Sequence, residues 1–252
     1  MMKSRSRVRG WLPSLLTLAV TACSSGLVDK NLDAVLEAEG VDPERAALLI
    51  VRLEDGQRWS SGGDRLDERF SPASTSKIPH TLIAFETDAV SGPDEIFEWD
   101  GEARFSPGWN GTQNFRTAFK RSTVWIYQTI TARIGSDVLA DWLGKFEYGN
   151  ADTGGPEHVT EYWLIGPLAI SAQEQVAFLG RLARRDLPLS AEAYAAALPI
   201  MVEEATETTT LYAKTGWKHV PGETDIGWYV GWLEQASGAA AGTYVFAFNM
   251  DM

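Results

Sequence analysis

Apolar residues follow two different spacings along this chain, and the two spacings occupy different regions. Strand-like runs lie near both ends. Ala46 to Leu53 is apolar except for Arg52, and the turn Glu54-Asp55-Gly56 leads back into Gln57 to Ser60, which predicts a hairpin. Three further strand-rich runs come late: Thr208–Ala213, Gly227–Gln235 and Thr243–Met250, with Pro221-Gly222 marking a loop between the first two.

The middle of the chain has the three- and four-residue spacing of helices. Helices are predicted at Thr75–Thr87, Thr117–Ile134, Asp137–Lys145, Ala172–Arg185 and Ala191–Met201, and a short one at Asn31–Glu39. Ser171 and Glu174 form a capping box that starts a helix whose inner face carries Val176, Leu179 and Leu182.

Strands from both ends around a helical middle predict a mixed α and β fold. We expect an antiparallel sheet flanked by helices, beside a mostly helical subdomain inserted at about residues 75–201. The single domain would span residues 31–252, with the functional cleft between sheet and subdomain.

Composition supports a folded, acidic protein. Of the 252 residues, 44% are hydrophobic and 11% aromatic, enough for a substantial core, and the formal net charge is −12. That charge disfavours binding to nucleic acid or to anionic lipid. An anionic ligand would need a local positive patch.

Residues 1–22 have the pattern of an export signal: Lys3, Arg5, Arg7 and Arg9 precede an apolar run too short to span a bilayer as a helix. Val20-Thr21-Ala22-Cys23 resembles a bacterial lipoprotein processing box. We therefore expect a periplasmic protein with lipidated Cys23 and a tether over residues 23–30, so that contact with the membrane is made only through the lipid. The alternative is an ordinary cleaved signal. Cys23 is the only cysteine, so an intrachain disulfide is excluded.

Four short motifs supply candidate chemistry: Ser74-Thr75-Ser76-Lys77, Ser122-Thr123-Val124, Tyr148-Gly149-Asn150 and Lys214-Thr215-Gly216. Ser74 and Lys77 are three residues apart, so on a helix they share a face. A lysine acts as a base only when neutral, which burial favours. Pro79 predicts a distorted first turn or a later start of the regular helix.

Each remaining motif adds one function to this pair. The Ser122 hydroxyl could relay a proton to a leaving nitrogen. Lys214 would lie at a strand edge facing the cleft, where Thr215 could bind a carboxylate and Gly216 allows close approach of substrate to the backbone. Each motif alone is common, and together they indicate acyl transfer.

The chain resembles the class D serine β-lactamases, the oxacillinase type, from about residue 45 onward. The resemblance lies in Pro72-Ala-Ser-Thr-Ser-Lys-Ile-Pro79, Ser122-Thr-Val124, Phe146-Glu-Tyr-Gly-Asn150, Tyr162-Trp-Leu-Ile-Gly-Pro-Leu168, Lys214-Thr-Gly216 and Gly231-Trp-Leu-Glu234. It implies a penicillin-binding transpeptidase-like fold and hydrolysis of β-lactams, which are small molecules. Either a monomer or a homodimer is expected, and the sequence does not distinguish them.

The same resemblance implies residue roles. Ser74 would be the nucleophile, and Lys77 the general base after carbon dioxide converts it to a carbamate held by Trp163. The backbone N–H groups of Ser74 and Trp217 would form the oxyanion hole. Ser122 and Lys214 would assist proton transfer and binding, and Val124 would wall the carbamate pocket. Tyr148, Thr215 and Gly216 complete the substrate-binding set. No metal or organic cofactor is implied.

Some features leave alternatives open. Ser76 stands where the family usually has a bulky apolar residue, and His80 where it commonly has asparagine; the family also continues past the position of Met252 with a basic residue and a final helix. Ser136-Asp137-Val138 is a partial match to the S-D-N motif of class A enzymes, but Ser136 is better interpreted as a helix cap. A sensor that is acylated without turnover and a cell-wall D,D-peptidase or transpeptidase remain alternative functions.

Overall fold

The computed structural model describes residues 29–252. The predicted signal peptide, Cys23 and all but the last two residues of the predicted tether lie outside the described residues. Within the described part, no helix combines the length and the apolar character needed to cross a membrane.

The described residues contain nine strands and seven helices, apart from short 3-10 turns. The strands are β1 (Lys30–Asn31), β2 (Ala46–Arg52), β3 (Arg58–Ser61), β4 (Ile96–Phe97), β5 (Gln113–Asn114), β6 (Val202–Ala205), β7 (Thr209–Lys218), β8 (Ile226–Gln235) and β9 (Gly242–Asp251). The helices are α1 (Asp33–Ala38), α2 (Lys77–Glu86), α3 (Phe115–Arg121), α4 (Val124–Ile134), α5 (Ser136–Phe146), α6 (Ala172–Ala183) and α7 (Ala191–Met201).

Seven strands form one sheet in the order β1-β3-β2-β9-β8-β7-β6. Neighbouring strands are antiparallel except β1 and β3, which are parallel. Strands β2 and β9, from opposite ends of the chain, pair along their length, with Leu49 opposite Ala247. The helices α2 to α7 lie between β3 and β6 in sequence. The predicted fold class is thereby confirmed.

The central strands of the sheet are buried on both faces, as the alternation in β2 shows. Ala47 and Leu49 belong to the large core shared with the helices, including Leu179 of α6. Leu48 and Ile50 point the other way into a second core cluster. Because successive side chains of a strand point to opposite faces, an uninterrupted apolar run such as β2 requires cover on both.

One local prediction is confirmed and two are wrong. The capping box is present: the Ser171 side chain accepts from the Glu174 N–H, and the Glu174 side chain from the Ser171 N–H. The predicted helix Thr117–Ile134 is in fact two helices, α3 and α4, because Ser122 adopts a left-handed conformation with φ 59°. Ser136 is not the cap of α5; Gly135 is, and the Ser136 hydroxyl contacts Asp137 instead.

Candidate active site

Ser74 lies in the 3-10 turn Ala73–Ser76, which runs directly into α2. Ala73 has φ 46°, a left-handed conformation that costs a non-glycine residue on the order of 1–3 kcal/mol. Two side-chain hydrogen bonds hold the turn: Thr75 donates to the Pro72 carbonyl and Ser76 to the Ala73 carbonyl. The α-helix begins at Lys77, so Pro79 falls in its first turn, where a missing N–H breaks no helical bond.

Lys77 is fully buried, and its Nζ lies 2.8 Å from Ser74 Oγ, in hydrogen-bond contact. The Tyr127 ring lies 5.1 Å from the amine. Burial, and then the positive charge of Lys214, lower the pKa of Lys77 well below its ordinary value. The spacing predicted the proximity of the two side chains, but it gave no sign of Tyr127, which lies on a different helix.

Ser122 is the C-cap of α3, at the break between α3 and α4. Ser122 Oγ is buried and has no hydrogen-bond partner among the described residues. The next residue is anchored, since Thr123 donates to the Gln113 side chain at 2.9 Å. Val124 then starts α4 and is half-buried. An unpaired buried hydroxyl is destabilising, and a bound group could satisfy it.

Strand β7 carries Lys214, Thr215 and Gly216. The Lys214 side chain is buried, its amine 5.7 Å from the Phe119 ring, and burial lowers its pKa to about 8. Thr215 is exposed. A Cβ on Gly216 would lie 2.9 Å from the Pro72 carbonyl oxygen and 3.0 Å from Thr75 Cγ2. The strand therefore reaches the serine-bearing turn only because residue 216 has no side chain.

Trp163 and Tyr148 are fully buried, and they differ in their polar contacts. Trp163 Nε1 has no hydrogen-bond partner among the described residues. Tyr148 packs edge-on against Phe178, and its hydroxyl accepts from Gln175 at 3.4 Å. The structure thus leaves Trp163 with a free donor and places Tyr148 within the core rather than at the cleft.

Two aromatic residues lie outside the buried site. Trp217 is 46% exposed and its ring lies 6.0 Å from that of Phe105, which is 82% exposed. Trp217 Nε1 donates to Asp225, which also contacts His219. Sequence reasoning missed Phe105 and Asp225, because neither belongs to a motif and the contact joins distant loops.

A cavity of about 580 Å³ runs along the β7 edge and is lined by Lys214, Thr215, Gly216 and Trp217, together with Phe119 and residues of β8 and β9. Ser74 and Lys77 are not part of its lining. The candidate site is therefore defined by the side-chain contacts around Ser74, with the cavity adjoining it. Within residues 29–252, no cluster of three or more His, Cys, Asp or Glu side chains is arranged to hold a metal ion.

Known proteins resemble this chain over most of its length. Residues 49–252 match the family model described as penicillin binding protein transpeptidase domain. The chain is 44% identical to β-lactamase OXA-2 of Salmonella typhimurium over 187 residues, which are 74% of this chain and 64% of OXA-2. It is 37% identical to β-lactamase OXA-48 of Klebsiella pneumoniae, covering 78% of this chain and 71% of OXA-48.

A solved structure shows the same similarity in three dimensions. The class D β-lactamase YbXI from Nostoc superposes with a TM-score of 0.82 at 36% identity, covering 89% of this chain and 90% of that one. The aligned part thus spans less than two thirds of OXA-2 but nearly all of the Nostoc chain.

Proposed function

Since this chain belongs to the class D β-lactamase family, we propose that it hydrolyses β-lactams through an acyl-enzyme formed on Ser74. The observation that carries the proposal is the contact of a fully buried amine with a hydroxyl, Lys77 Nζ to Ser74 Oγ at 2.8 Å. A nucleophile within hydrogen-bond reach of a deprotonated base is the arrangement that acyl transfer requires.

In the proposed acylation, Ser74 Oγ attacks the lactam carbonyl carbon and its proton passes to the base at position 77. The backbone N–H groups of Ser74 and Trp217 donate to the oxyanion. As the C–N bond breaks, the ring nitrogen receives a proton through Ser122. This role is supported by the buried Ser122 hydroxyl, which has no hydrogen-bond partner among the described residues.

Lys214 and Thr215 are proposed to bind the substrate carboxylate. The protein is acidic overall, with a net charge of −12, so an anionic substrate depends on local positive charge. Lys214 supplies it below its pKa of about 8, next to the exposed Thr215 hydroxyl. Val124, Gly216 and Trp217 would form the surrounding walls.

We further propose that Lys77 carries a carbamate derived from carbon dioxide. The residues present fit such a group: burial lowers the pKa of the Lys77 amine and so favours the neutral form that reacts with carbon dioxide, and the buried Trp163 N–H lacks an acceptor among the described residues. When present, the carbamate supplies a general base for acylation and for deacylation by water. Trp163 would donate to it, and Val124 would shield it from solvent.

Intact-protein mass spectrometry over time with one penicillin, alongside turnover of a chromogenic β-lactam, tests the proposal. We expect a transient adduct on Ser74 and continuous turnover that bicarbonate stimulates. A stoichiometric, long-lived adduct without turnover would instead identify a sensor. Release of D-alanine from a peptide substrate would identify a peptidase or transpeptidase, a reaction favoured by the description of the matching family model.

The variant Lys77→Ala tests whether the amine at position 77 is required for turnover. We expect it to abolish turnover, because the only amine in contact with Ser74 among the described residues is removed. The matched control is Lys145→Ala, which removes a lysine that pairs with Asp141 on the surface of α5. Undiminished turnover in the Lys77→Ala protein would refute the mechanism.

Export to the periplasm, lipidation of Cys23 and a monomeric or homodimeric state are also proposed. Metabolic labelling with a palmitate analogue tests the second of these. Label should enter the wild-type protein and be absent from Cys23→Ser; equal labelling of both would exclude lipidation at this position.

A further inference from the structure

His80 is a buried titratable residue for which the proposed reaction has no step. It lies on α2 three residues after Lys77, so both side chains share a face of that helix. It is fully buried. Burial, and then the charge of Lys77, lower its pKa to about 3, so the imidazole is neutral at any physiological pH.

The imidazole connects α2 to two adjacent aromatic residues. His80 Nε2 lies 2.6 Å from the Tyr162 hydroxyl, in hydrogen-bond contact. The same ring packs edge-on against the Trp163 indole, with centroids 4.9 Å apart and an angle of 76° between the planes. Tyr162 and Trp163 also pack against each other at 5.1 Å. His80 therefore touches both members of the pair, one by a hydrogen bond and one by ring contact.

The direction of the Trp163 N–H is set by packing. Its Nε1 has no hydrogen-bond partner among the described residues, although an unpaired buried donor costs about 1–3 kcal/mol. A side chain whose own hydrogen bond is not made stays where its neighbours hold it. For Trp163 those neighbours are the rings of His80 and Tyr162.

We propose that His80 is a positioning residue that fixes the Trp163 indole through this contact and through Tyr162, and so sets how strongly Lys77 retains carbon dioxide. The inference rests on the proposed function, in which Trp163 donates to the carbamate. In the step concerned, the Lys77 nitrogen lone pair forms a bond to the carbon of carbon dioxide. One C–O π bond opens to leave a carboxylate, and the nitrogen releases a proton to water.

The test measures carbamate occupancy directly, by ¹³C NMR of the full protein titrated with ¹³C-labelled bicarbonate. His80→Leu removes the polar contact with little change in volume, whereas His80→Gln keeps a polar atom near the position of Nε2. We expect the bicarbonate concentration for half occupancy to rise about tenfold in His80→Leu, as for loss of one buried hydrogen bond, and to return toward the wild-type value in His80→Gln.

Two further variants keep the result interpretable. Tyr162→Phe removes only the hydroxyl that contacts His80, and we expect it to raise the half-occupancy concentration as well. Thr131→Val is the control: Thr131 is also fully buried, but its hydroxyl donates within α4 to Gln128. It should leave the half-occupancy concentration unchanged.

The outcomes separate the two proposals. A wild-type protein with turnover but no carbamate resonance would overturn the carbamate and this inference together, leaving hydrolysis through Ser74 standing. A wild-type resonance with equal half-occupancy concentrations in His80→Leu and Tyr162→Phe would overturn the inference alone. Should His80→Leu fail to fold, Tyr162→Phe decides, since an unchanged half-occupancy concentration there contradicts the proposed connection.

Discussion

Gly216 is the residue on which the meeting of strand and turn depends. Its missing Cβ leaves room for the backbone carbonyl of Pro72, which cannot move aside as the end of a flexible side chain could. The requirement for glycine is one of space.

Gly216→Ala should therefore separate β7 from the serine turn. We expect kcat/KM for a β-lactam to fall by about two orders of magnitude, the typical cost of an ångström-scale misplacement of catalytic groups. Steady-state kinetics measure the effect. Gly144→Ala is the control, because nothing lies within 4 Å of a Cβ there. Equal kcat/KM in wild type and Gly216→Ala would show that β7 need not touch the turn.

Deprotonation of Lys214 should weaken the binding of an anionic substrate at alkaline pH. Burial lowers its pKa to about 8, so the side chain is positive below that pH and neutral above it. KM for an anionic β-lactam should therefore be constant from pH 6 to 7 and rise above pH 8. Lys214→Arg, which stays charged, should flatten the rise. A KM profile of the same shape in both proteins would exclude Lys214 as its origin.

At the scale of elements, the start of α6 is fixed by side chains. Ser171 and Glu174 satisfy each other's backbone N–H groups, and Glu174 also pairs with Arg69. Helix α6 packs on the sheet, so its first turn contributes to the attachment of the helical layer.

Ser171→Ala should lower the free energy of unfolding by about 1 kcal/mol, the usual cost of losing a serine N-cap. Urea denaturation followed by far-UV circular dichroism measures the change. Ser136→Ala is a matched control, since Ser136 also lies at a helix start but makes no capping bond. If both variants lose the same free energy, the capping interaction contributes nothing specific.

Helices and strands with a clear apolar periodicity were predictable from the sequence. Features that depend on an unusual backbone conformation or on pairing with a distant strand were not. The prediction for α7, Ala191–Met201, matches the structure to the residue. The break at Ser122 was missed because serine gives no local sign of a positive φ. Strand β6 was missed because Val-Glu-Glu-Ala has no apolar alternation; pairing with β7 at the sheet edge makes it a strand.

The candidate site shows the same division. The motifs marked Ser74, Lys77, Ser122 and Lys214 as candidates, because each of these residues belongs to a short motif that can be recognised within a few positions of sequence. They could not show that Tyr148 is in the core, that His80 contacts Trp163, or that Tyr127 faces the amine. Those facts depend on which helices pack together. The residues next to a polar side chain in sequence do not determine whether that side chain is buried.

For the whole molecule, the large core cluster joins the sheet to the helical middle without interruption. It includes Leu49 of β2, Leu82 of α2, Leu143 of α5 and Val245 of β9. Because the helices of the middle region and the sheet share this one cluster, we expect them to unfold together in one cooperative transition. Tryptophan fluorescence and far-UV circular dichroism should give the same midpoint. Two separate midpoints would show that the helical subdomain unfolds independently.

The pairing of β2 with β9 also has a consequence for the order of events during synthesis. Ser74 and Lys77 leave the ribosome well before β7, β8 and β9, which follow them in sequence by more than 130 residues. A nascent chain that ends before Thr209 holds the reactive pair but lacks the strand that presses against it, and β2 has no partner on its β9 side. Until β7 to β9 have been synthesised, such a chain carries a nucleophile without the strand that forms one wall of its cleft.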